Sequence, residues 1–145
     1  MILRAAKQHD VNAMAKIIGD WFTVTPFVPR LHTPEEDRRF IGHAVENADV
    51  VVAVDDNQVQ GFIVRNDEEI GQLYLAPQAR GVGMGTALLE RMKADSDQLT
   101  LYCFQANKGA RRFYERHGFV AEEFSDGSDN EEKCPDIRYV WKAKS

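Results

Sequence analysis

The chain has 145 residues, of which 43% are hydrophobic and 28% are charged, and this composition predicts a single globular domain over residues 1–145. The formal net charge of −5 argues against nucleic-acid binding, which usually requires a basic stripe. No apolar run reaches the roughly 18 residues of a membrane span, and no Cys/His cluster has metal-ligand spacing. We therefore expect a cytoplasmic monomer or homodimer that binds neither membrane nor metal.

The N-terminal part of the chain predicts one strand followed by two helices. Residues 2–5 form the strand, and residues 10–22 carry apolar side chains at a helical period. The second helix begins after Thr33 as N-cap, with Pro34 in its first position and Glu36 completing a capping box. We expect this helix to end near residue 47.

Three apolar segments then predict three strands joined by short polar turns. They cover residues 50–54, 59–65 and 70–75, and turns this short favour antiparallel hairpins. The third strand ends at Leu75 and leads, through a proline, into a turn with glycines at 81, 83 and 85. An amphipathic helix over residues 85–94 follows.

This strand, glycine turn and helix predict an anion site. The first N–H groups of a helix have no intrahelical partner, and the helix dipole favours negative charge there, most often a phosphate. A P-loop is excluded because no lysine precedes the helix. The dinucleotide-binding fingerprint is excluded because its third glycine is missing and the next strand, residues 99–104, ends without an acidic residue.

A second motif lies in the helix that follows Asn107. Asn107 is a favourable N-cap and Gly118 a favourable residue after the C-cap. Asn107, Ala110 and Tyr114 have the spacing of one helix face. Strands over residues 119–124 and 137–142 complete the chain.

Together, the two motifs resemble the signatures of the GNAT superfamily of acyl-CoA-dependent N-acyltransferases. The first signature is matched by Arg80-Gly81-Val82-Gly83-Met84-Gly85, and the second by Asn107, Tyr114 and Gly118-Phe119. The resemblance covers roughly residues 50–121. It implies an α/β fold with a mixed sheet and the element order β-α-α-β-β-β-α-β-α-β-β. It also implies that two parallel strands, ending at Leu75 and near Phe104, splay apart and admit acyl-CoA.

The resemblance also implies a set of binding residues for acetyl-CoA, with no metal. The pyrophosphate would bind to backbone groups of Gly81, Val82, Gly83, Met84, Gly85 and Thr86, while Arg80 either adds charge there or covers the helix end. The pantetheine arm would bind along Leu73, Tyr74 and Leu75 and contact Asn107. Tyr114 would protonate the departing thiolate as a catalytic acid.

The general base is predicted less directly. Glu69 matches the position of a catalytic glutamate in several GNAT proteins, and strand alternation places it on the face of Leu73 and Leu75. Alternatives are His32, Glu35 and Glu36 near the second helix, although this string is also typical of a capped, exposed helix start. A water chain to bulk solvent is a further alternative.

An acidic, turn-rich segment over residues 125–136 is longer than a hairpin requires. One interpretation is a solvated loop. The other is a lip, including Glu131, Glu132 and Asp136, that selects a cationic acceptor. Trp21 and Phe22 would either add an apolar wall for that acceptor or pack in the core.

These patterns predict an acetyl-CoA-dependent N-acetyltransferase that acts on a primary amine of a small molecule, peptide or protein. One alternative is a non-catalytic module that binds and senses acyl-CoA. Another is an acetyltransferase-like inhibitor that works through surface contacts.

Overall fold

The computed structural model describes residues 1–144 as one seven-stranded sheet with the strand order β1-β2-β3-β4-β5-β7-β6, flanked by helices. The strands are β1 (Ile2–Ala5), β2 (Asp49–Asp55), β3 (Gln58–Asn66), β4 (Glu69–Leu75), β5 (Gln98–Phe104), β6 (Val120–Ser125) and β7 (Asp136–Lys142). The helices are α1 (Val11–Thr23), α2 (Pro34–Asn47), α3 (Met84–Lys93) and α4 (Lys108–Arg116). The predicted fold class and element order are confirmed, and short 3-10 turns at Gln8–Asp10 and Pro77–Ala79 are additional.

The core lies on both faces of the N-terminal half of the sheet. Four successive residues of β2, Val50 to Ala53, are buried, which requires cover on both faces because successive side chains point in opposite directions. Helices α1 and α3 both contact β3, and α2 contacts β2. The sheet is therefore sandwiched between helices at the strands that lead into the glycine turn.

The predicted splay between β4 and β5 is confirmed. All other neighbouring strands pair antiparallel, whereas β4 and β5 are parallel and share the single register pair Glu69 and Thr100. The Thr100 N–H donates to the Glu68 carbonyl at 2.8 Å. Beyond this point, within the described chain, no register pair joins the two strands. The edge of β4 that faces β5 is consequently open from residue 70 to residue 75.

A bulge in β4 overturns the assignment of Glu69 to the face of Leu73 and Leu75. Val64 of β3 is opposite Gln72, but the next residue, Arg65, is opposite Ile70, so β4 contains one extra residue. An extra residue interrupts the in–out alternation of a strand. Counting residues back from Leu73 therefore gave the wrong face for Glu69, which lies exposed at the start of β4.

Buried Asp10 ties β1 to the start of α1, and its loss should destabilise the fold. Arg4 donates to both Asp10 carboxylate oxygens, at 2.7 and 2.9 Å, and the Lys7 N–H donates at 2.8 Å. We expect Asp10→Asn to lower the free energy of unfolding by about 2 kcal/mol, the scale of hydrogen bonds to a charged group. Asp20→Asn, which breaks the exposed pair with Lys16, should cost under about 0.5 kcal/mol.

The pH dependence provides a second check on Asp10. The Arg4 guanidinium lowers the pKa of the Asp10 carboxyl. Its contribution is therefore complete above the ordinary aspartate pKa and is lost as pH falls through the lowered folded-state pKa. Urea unfolding at pH 7 and in acid should show the gap between wild type and Asp10→Asn closing; a gap independent of pH would contradict this role.

Candidate acyl-CoA site

The glycine turn has the backbone geometry of an open anion site. Gly81 and Gly83 have φ of +79° and +83°, in the left-handed region that favours glycine. A Cβ at either position would meet no heavy atom of the described protein within 4 Å. The first N–H groups of α3, which follow Gly83 directly, have no intrahelical partner. The turn therefore presents backbone donors to unobstructed space.

Gly85 is required for a different reason. A Cβ there would lie 3.3 Å from Phe113 Cζ and 3.5 Å from Leu75 Cδ1, so a small residue lets α3 pack closely against α4 and β4. The neighbouring side chains also differ in role, since Met84 is buried and Val82 is exposed. Of the predicted glycines, Gly81 and Gly83 thus serve the open turn, whereas Gly85 also serves packing.

A cavity of about 440 Å³ lies beside this turn, and we call it the glycine-turn cavity. It brings together six of the predicted site residues. Its lining residues are Trp21, Val24, Thr25, Phe27, Leu73, Leu75, Arg80, Gly85, Asn107, Gly109, Ala110, Phe113, Tyr114 and Arg116. Two of them are arginines and none is acidic, although the chain as a whole carries a net charge of −5.

The two arginines of the glycine-turn cavity are available for an anion. In residues 1–144, neither Arg80 nor Arg116 forms a side-chain hydrogen bond or ion pair with another protein group. Arg80, which the sequence allows either to add charge to the phosphate site or to cover the helix end, lies in the cavity lining. The sequence interpretation missed Arg116, because a basic residue at a helix end is also explained by the helix dipole.

Two predicted site residues, Asn107 in the cavity lining and Thr86 outside it, make defined hydrogen bonds. Asn107 Oδ1 accepts from the Ala110 N–H at 3.2 Å, which confirms the predicted N-cap of α4. Thr86 Oγ1 lies 3.1 Å from His117 Nε2, so this contact joins the first turn of α3 to the end of α4. Burial and the nearby Lys93 lower the pKa of His117.

A second cavity of about 350 Å³ fills the gap between β4 and β5, and we call it the splay cavity. Its lining residues are Trp21, Ile70, Gly71, Gln72, Leu73, Tyr74, Leu101, Tyr102, Cys103, Phe104, Asn107, Ala110, Tyr114 and Glu132. It shares five lining residues with the glycine-turn cavity: Trp21, Leu73, Asn107, Ala110 and Tyr114. The two cavities therefore meet along these residues, and Tyr114 is one of them.

Tyr114 is held by aromatic neighbours at this junction. Its ring centroid lies 5.3 Å from that of Phe113 and 5.7 Å from that of Phe119. Burial raises the pKa of its hydroxyl far above the ordinary tyrosine value. The hydroxyl forms no hydrogen bond within residues 1–144 and is not fully buried. Tyr114 is therefore a neutral phenol near neutral pH, and the raised pKa makes it a weaker acid than an ordinary tyrosine.

Tyr74 lies on the splay-cavity side of β4. Its ring packs edge-to-face on Trp21 at 5.5 Å and against Phe62 at 5.7 Å. Burial, with a smaller effect of the Glu132 and Asp37 charges, raises the pKa of Tyr74 to about 12. Trp21, predicted as either a wall or a core residue, lines both cavities.

None of the residues suggested from sequence as general base lines either cavity. Glu69 and Glu35 are exposed. Glu36 accepts from the Thr33 N–H at 2.9 Å, which confirms the capping box, and these bonds lower the pKa of its carboxyl. His32 Nε2 lies 2.8 Å from Glu131 Oε1, and this carboxylate raises the pKa of His32.

The acidic segment divides into carboxylates with different contacts. Glu131 pairs with His32, and Asp136 accepts from Ser125 Oγ at 2.6 Å and from Asn130 Nδ2 at 3.2 Å. Glu132 alone of the three borders the splay cavity, where it is half-buried. The three acids named for the lip thus differ in their contacts, and Glu132 is the one beside the splay cavity.

Residues 1–144 contain no group of three or more His, Cys, Asp or Glu residues arranged to hold a metal ion. None of their helices combines the length and apolar character needed to cross a bilayer.

The two cavities and the splayed sheet define the class of protein, and comparison with known proteins agrees. A family model described as "Acetyltransferase (GNAT) domain" matches residues 46–121. The chain belongs to the GNAT acetyltransferase family. It is 35% identical over 81 residues to an uncharacterized N-acetyltransferase, MJ1207 of Methanocaldococcus jannaschii, covering 52% of this chain and 36% of that protein.

The chain is also 30% identical over 79 residues to the peptidyl-lysine N-acetyltransferase YjaB of Escherichia coli, covering 54% of each protein. The chain is 26% identical over 91 residues to the peptidyl-lysine N-acetyltransferase YjaB of Salmonella typhimurium, and this match covers 63% of each protein. The chain thus spans less than two thirds of the length of these curated relatives.

Solved structures show the same fold. A GNAT-family acetyltransferase of Bacillus cereus superposes with a TM-score of 0.80 at 16% identity, over 99% of this chain and 98% of that one. The PaiA N-acetyltransferase of Thermoplasma acidophilum, solved in complex with coenzyme A, gives 0.77 at 18% identity over 98% of each chain.

Proposed function

We propose that this protein is an acetyl-CoA-dependent N-acetyltransferase that acts on a primary alkylamine. The observation that carries the proposal is the placement of Tyr114 at the junction of a cationic cavity and the splay cavity. The first suits the phosphates of CoA, and the second borders the open edge of β4, where the thioester and the amine would meet. A close structural relative solved with coenzyme A supports this ligand class.

The donor would lie along the glycine turn and the open edge of β4. Backbone N–H groups of the turn and of the start of α3, together with Arg80 and Arg116, would bind its phosphates. The pantetheine arm resembles a peptide, so it can pair with the unoccupied edge of β4 at Leu73 to Leu75. Its thioester would then lie beside Tyr114.

The reaction needs one bond formed and one broken. The neutral amine nitrogen attacks the thioester carbonyl carbon, and collapse of the tetrahedral intermediate breaks the C–S bond. The departing thiolate takes a proton, which the Tyr114 phenol is placed to donate. The nitrogen carries a positive charge in the intermediate and loses its extra proton to water, and a proton from water restores the Tyr114 phenol. The products are an N-acetylamine and CoA.

The attacking amine must first lose a proton, and this step predicts a pH dependence. A lysine-type ammonium has a pKa of about 10.4. In the splay cavity, burial raises the pKa of Cys103 to about 11 and that of Tyr74 to about 12, so neither is a base near neutral pH. We expect kcat/KM for the amine to rise roughly tenfold per pH unit from pH 6 to 9. A plateau set by a group near pH 7 would instead indicate a histidine base.

The acceptor would be cationic before it reacts, because Glu132 borders the cavity that receives it. A lysine side chain is one such amine, in keeping with the peptidyl-lysine acetyltransferases that this chain resembles. A thiol-release assay with acetyl-CoA and a panel of amines, carboxylated amines and lysyl peptides tests the proposal. Binding of CoA without release of thiol from any acceptor would support the sensing module instead.

A further inference from the structure

His117 joins the two helices that border the glycine-turn cavity. Its Nε2 lies 3.1 Å from Thr86 Oγ1 in the first turn of α3, and its backbone carbonyl accepts from Lys93 Nζ, at the end of α3, at 2.6 Å. His117 is the C-cap of α4, and its ring centroid lies 4.7 Å from that of Phe113. The imidazole is therefore fixed between the phosphate end of the proposed site and the helix that carries Tyr114.

The Thr86 hydroxyl does not spend its proton on the helix backbone. A threonine in a helix often donates to the carbonyl of residue i−4, as Thr23 Oγ1 does to the Gly19 carbonyl at 3.1 Å. Among the described residues, the one hydrogen-bond partner of Thr86 Oγ1 is His117 Nε2. Because helical side chains lean toward the N-terminus of their helix, this hydroxyl lies on the side of the glycine turn.

Thr86 also belongs to the helical turn whose N–H donors are free. The first intrahelical bond of α3 runs from the Ala87 N–H to the Gly83 carbonyl at 3.0 Å, so the N–H groups of residues 84–86 precede it and have no intrahelical acceptor. The hydroxyl and the N–H of Thr86 belong to the same residue. A phosphate bound to this N–H is therefore within reach of the hydroxyl.

The His117 ring is uncharged near neutral pH. Burial lowers the pKa of His117; the Lys93 and Arg116 charges act in the same direction, and Glu90 acts in the opposite one. A neutral imidazole carries one N–H, on either nitrogen. The Glu90 carboxylate lies 3.9 Å from Nδ1, too far for a hydrogen bond that would hold the proton there. Both tautomers are therefore accessible to the free protein.

The tautomer decides whether the Thr86 hydroxyl attracts or repels an anion. When His117 Nε2 is unprotonated, it accepts the hydroxyl proton, and oxygen lone pairs are left facing the glycine turn. When Nε2 carries the proton, it donates to Oγ1, and the O–H is free to donate to a phosphate oxygen. A bound phosphate therefore selects the second tautomer.

We propose that His117 is a positioning residue of the donor site: its Nε2–H donates to Thr86 Oγ1, and the Thr86 O–H then donates to a phosphate oxygen of CoA. The inference rests on the proposed function for its ligand and adds a residue that acts on the phosphates through another side chain. Both hydrogen bonds point their donors toward the negative charge, so each strengthens the other.

A double-mutant cycle on CoA binding, measured by calorimetry, tests the role of His117. Thr86→Val removes the hydroxyl and should weaken CoA binding about tenfold, the scale of a hydrogen bond to a charged group. His117→Phe keeps a ring against Phe113 but removes the donor, and it should weaken binding about fivefold, the scale of one ordinary hydrogen bond. In the Thr86→Val background, His117→Phe should change the affinity by less than about twofold, because the hydroxyl that it orients is absent.

Matched variants separate positioning from packing. His117→Gln keeps an N–H donor near the place of Nε2, so its CoA affinity should stay within about twofold of the wild type. Lys93→Met breaks the other contact between α3 and His117 without touching the imidazole. It should lower the melting temperature of the free protein and leave the CoA affinity unchanged.

An equal loss of CoA affinity from His117→Phe with and without the Thr86 hydroxyl would overturn the proposal, because His117 would then act by packing. A loss in His117→Gln or in Lys93→Met as large as in His117→Phe would overturn it as well. CoA binding that follows these expectations without thiol release from any amine supports the role of His117 and refutes only the proposed acetyl transfer. A wild-type protein that binds no CoA refutes both.

Discussion

Gly83→Val is expected to abolish the thermal stabilisation that we predict acetyl-CoA to give the wild-type protein. A ligand present at 100 times its Kd stabilises the native state by about 2.7 kcal/mol, equivalent to a rise in Tm of roughly 5–10 °C for a chain of this size. Because a Cβ at Gly83 would enter the open space in front of the helix N-terminus, the valine side chain should occupy the phosphate position. Differential scanning fluorimetry with and without acetyl-CoA measures the effect.

Backbone strain must be separated from blockage of the site. Gly83 has φ of +83°, so valine also strains the turn, whereas asparagine tolerates this region better. Gly83→Asn should therefore melt near the wild type without ligand and still lose the ligand shift. Gly118, with φ of +88° and a Cβ position 3.3 Å from Trp141, provides the control: Gly118→Asn should keep the shift. A normal shift in Gly83→Asn would place the phosphates elsewhere.

Tyr114→Phe is expected to lower kcat by about 10², the lower end of general-acid effects. The thiol of CoA has a pKa near 8.5, so its thiolate leaves without much help from an acid. A loss of kcat larger than this is therefore not expected. The affinity for acetyl-CoA should hardly change, because an interaction made only in the transition state appears in kcat. Steady-state kinetics and calorimetric titration with CoA measure the two quantities separately.

Tyr139→Phe is the matched control for the loss of a phenol. The Tyr139 hydroxyl donates to Glu115 at 2.6 Å and accepts from Arg111 at 3.3 Å, and neither bond lies in the two cavities. This variant should therefore lose stability while keeping kcat. If Tyr114→Phe retains full turnover, Tyr114 is a packing residue and the proton comes from solvent.

Local signals in the sequence determined the elements and the turn. Apolar periodicity, the Thr33–Glu36 capping box, the Asn107 cap and the glycines at 81 and 83 act over a few residues, and each is present in the structure as predicted. These features depend on backbone dihedral angles and on hydrogen bonds between close neighbours in the chain. One sequence is therefore sufficient to locate them.

Only the tertiary structure decided which side chains share a cavity. Because of the bulge in β4, Glu69 does not lie on the face that strand alternation predicts. The path of the loop between β6 and β7 places Glu132, rather than Glu131 or Asp136, at the splay cavity. Arg116 gave no distinctive signal, because its place in the cavity lining depends on residues distant in sequence that lie beside it. Strand register and loop contacts are long-range properties, since they follow from the packing of the whole sheet, whereas residue spacing along the chain reports only on local backbone structure.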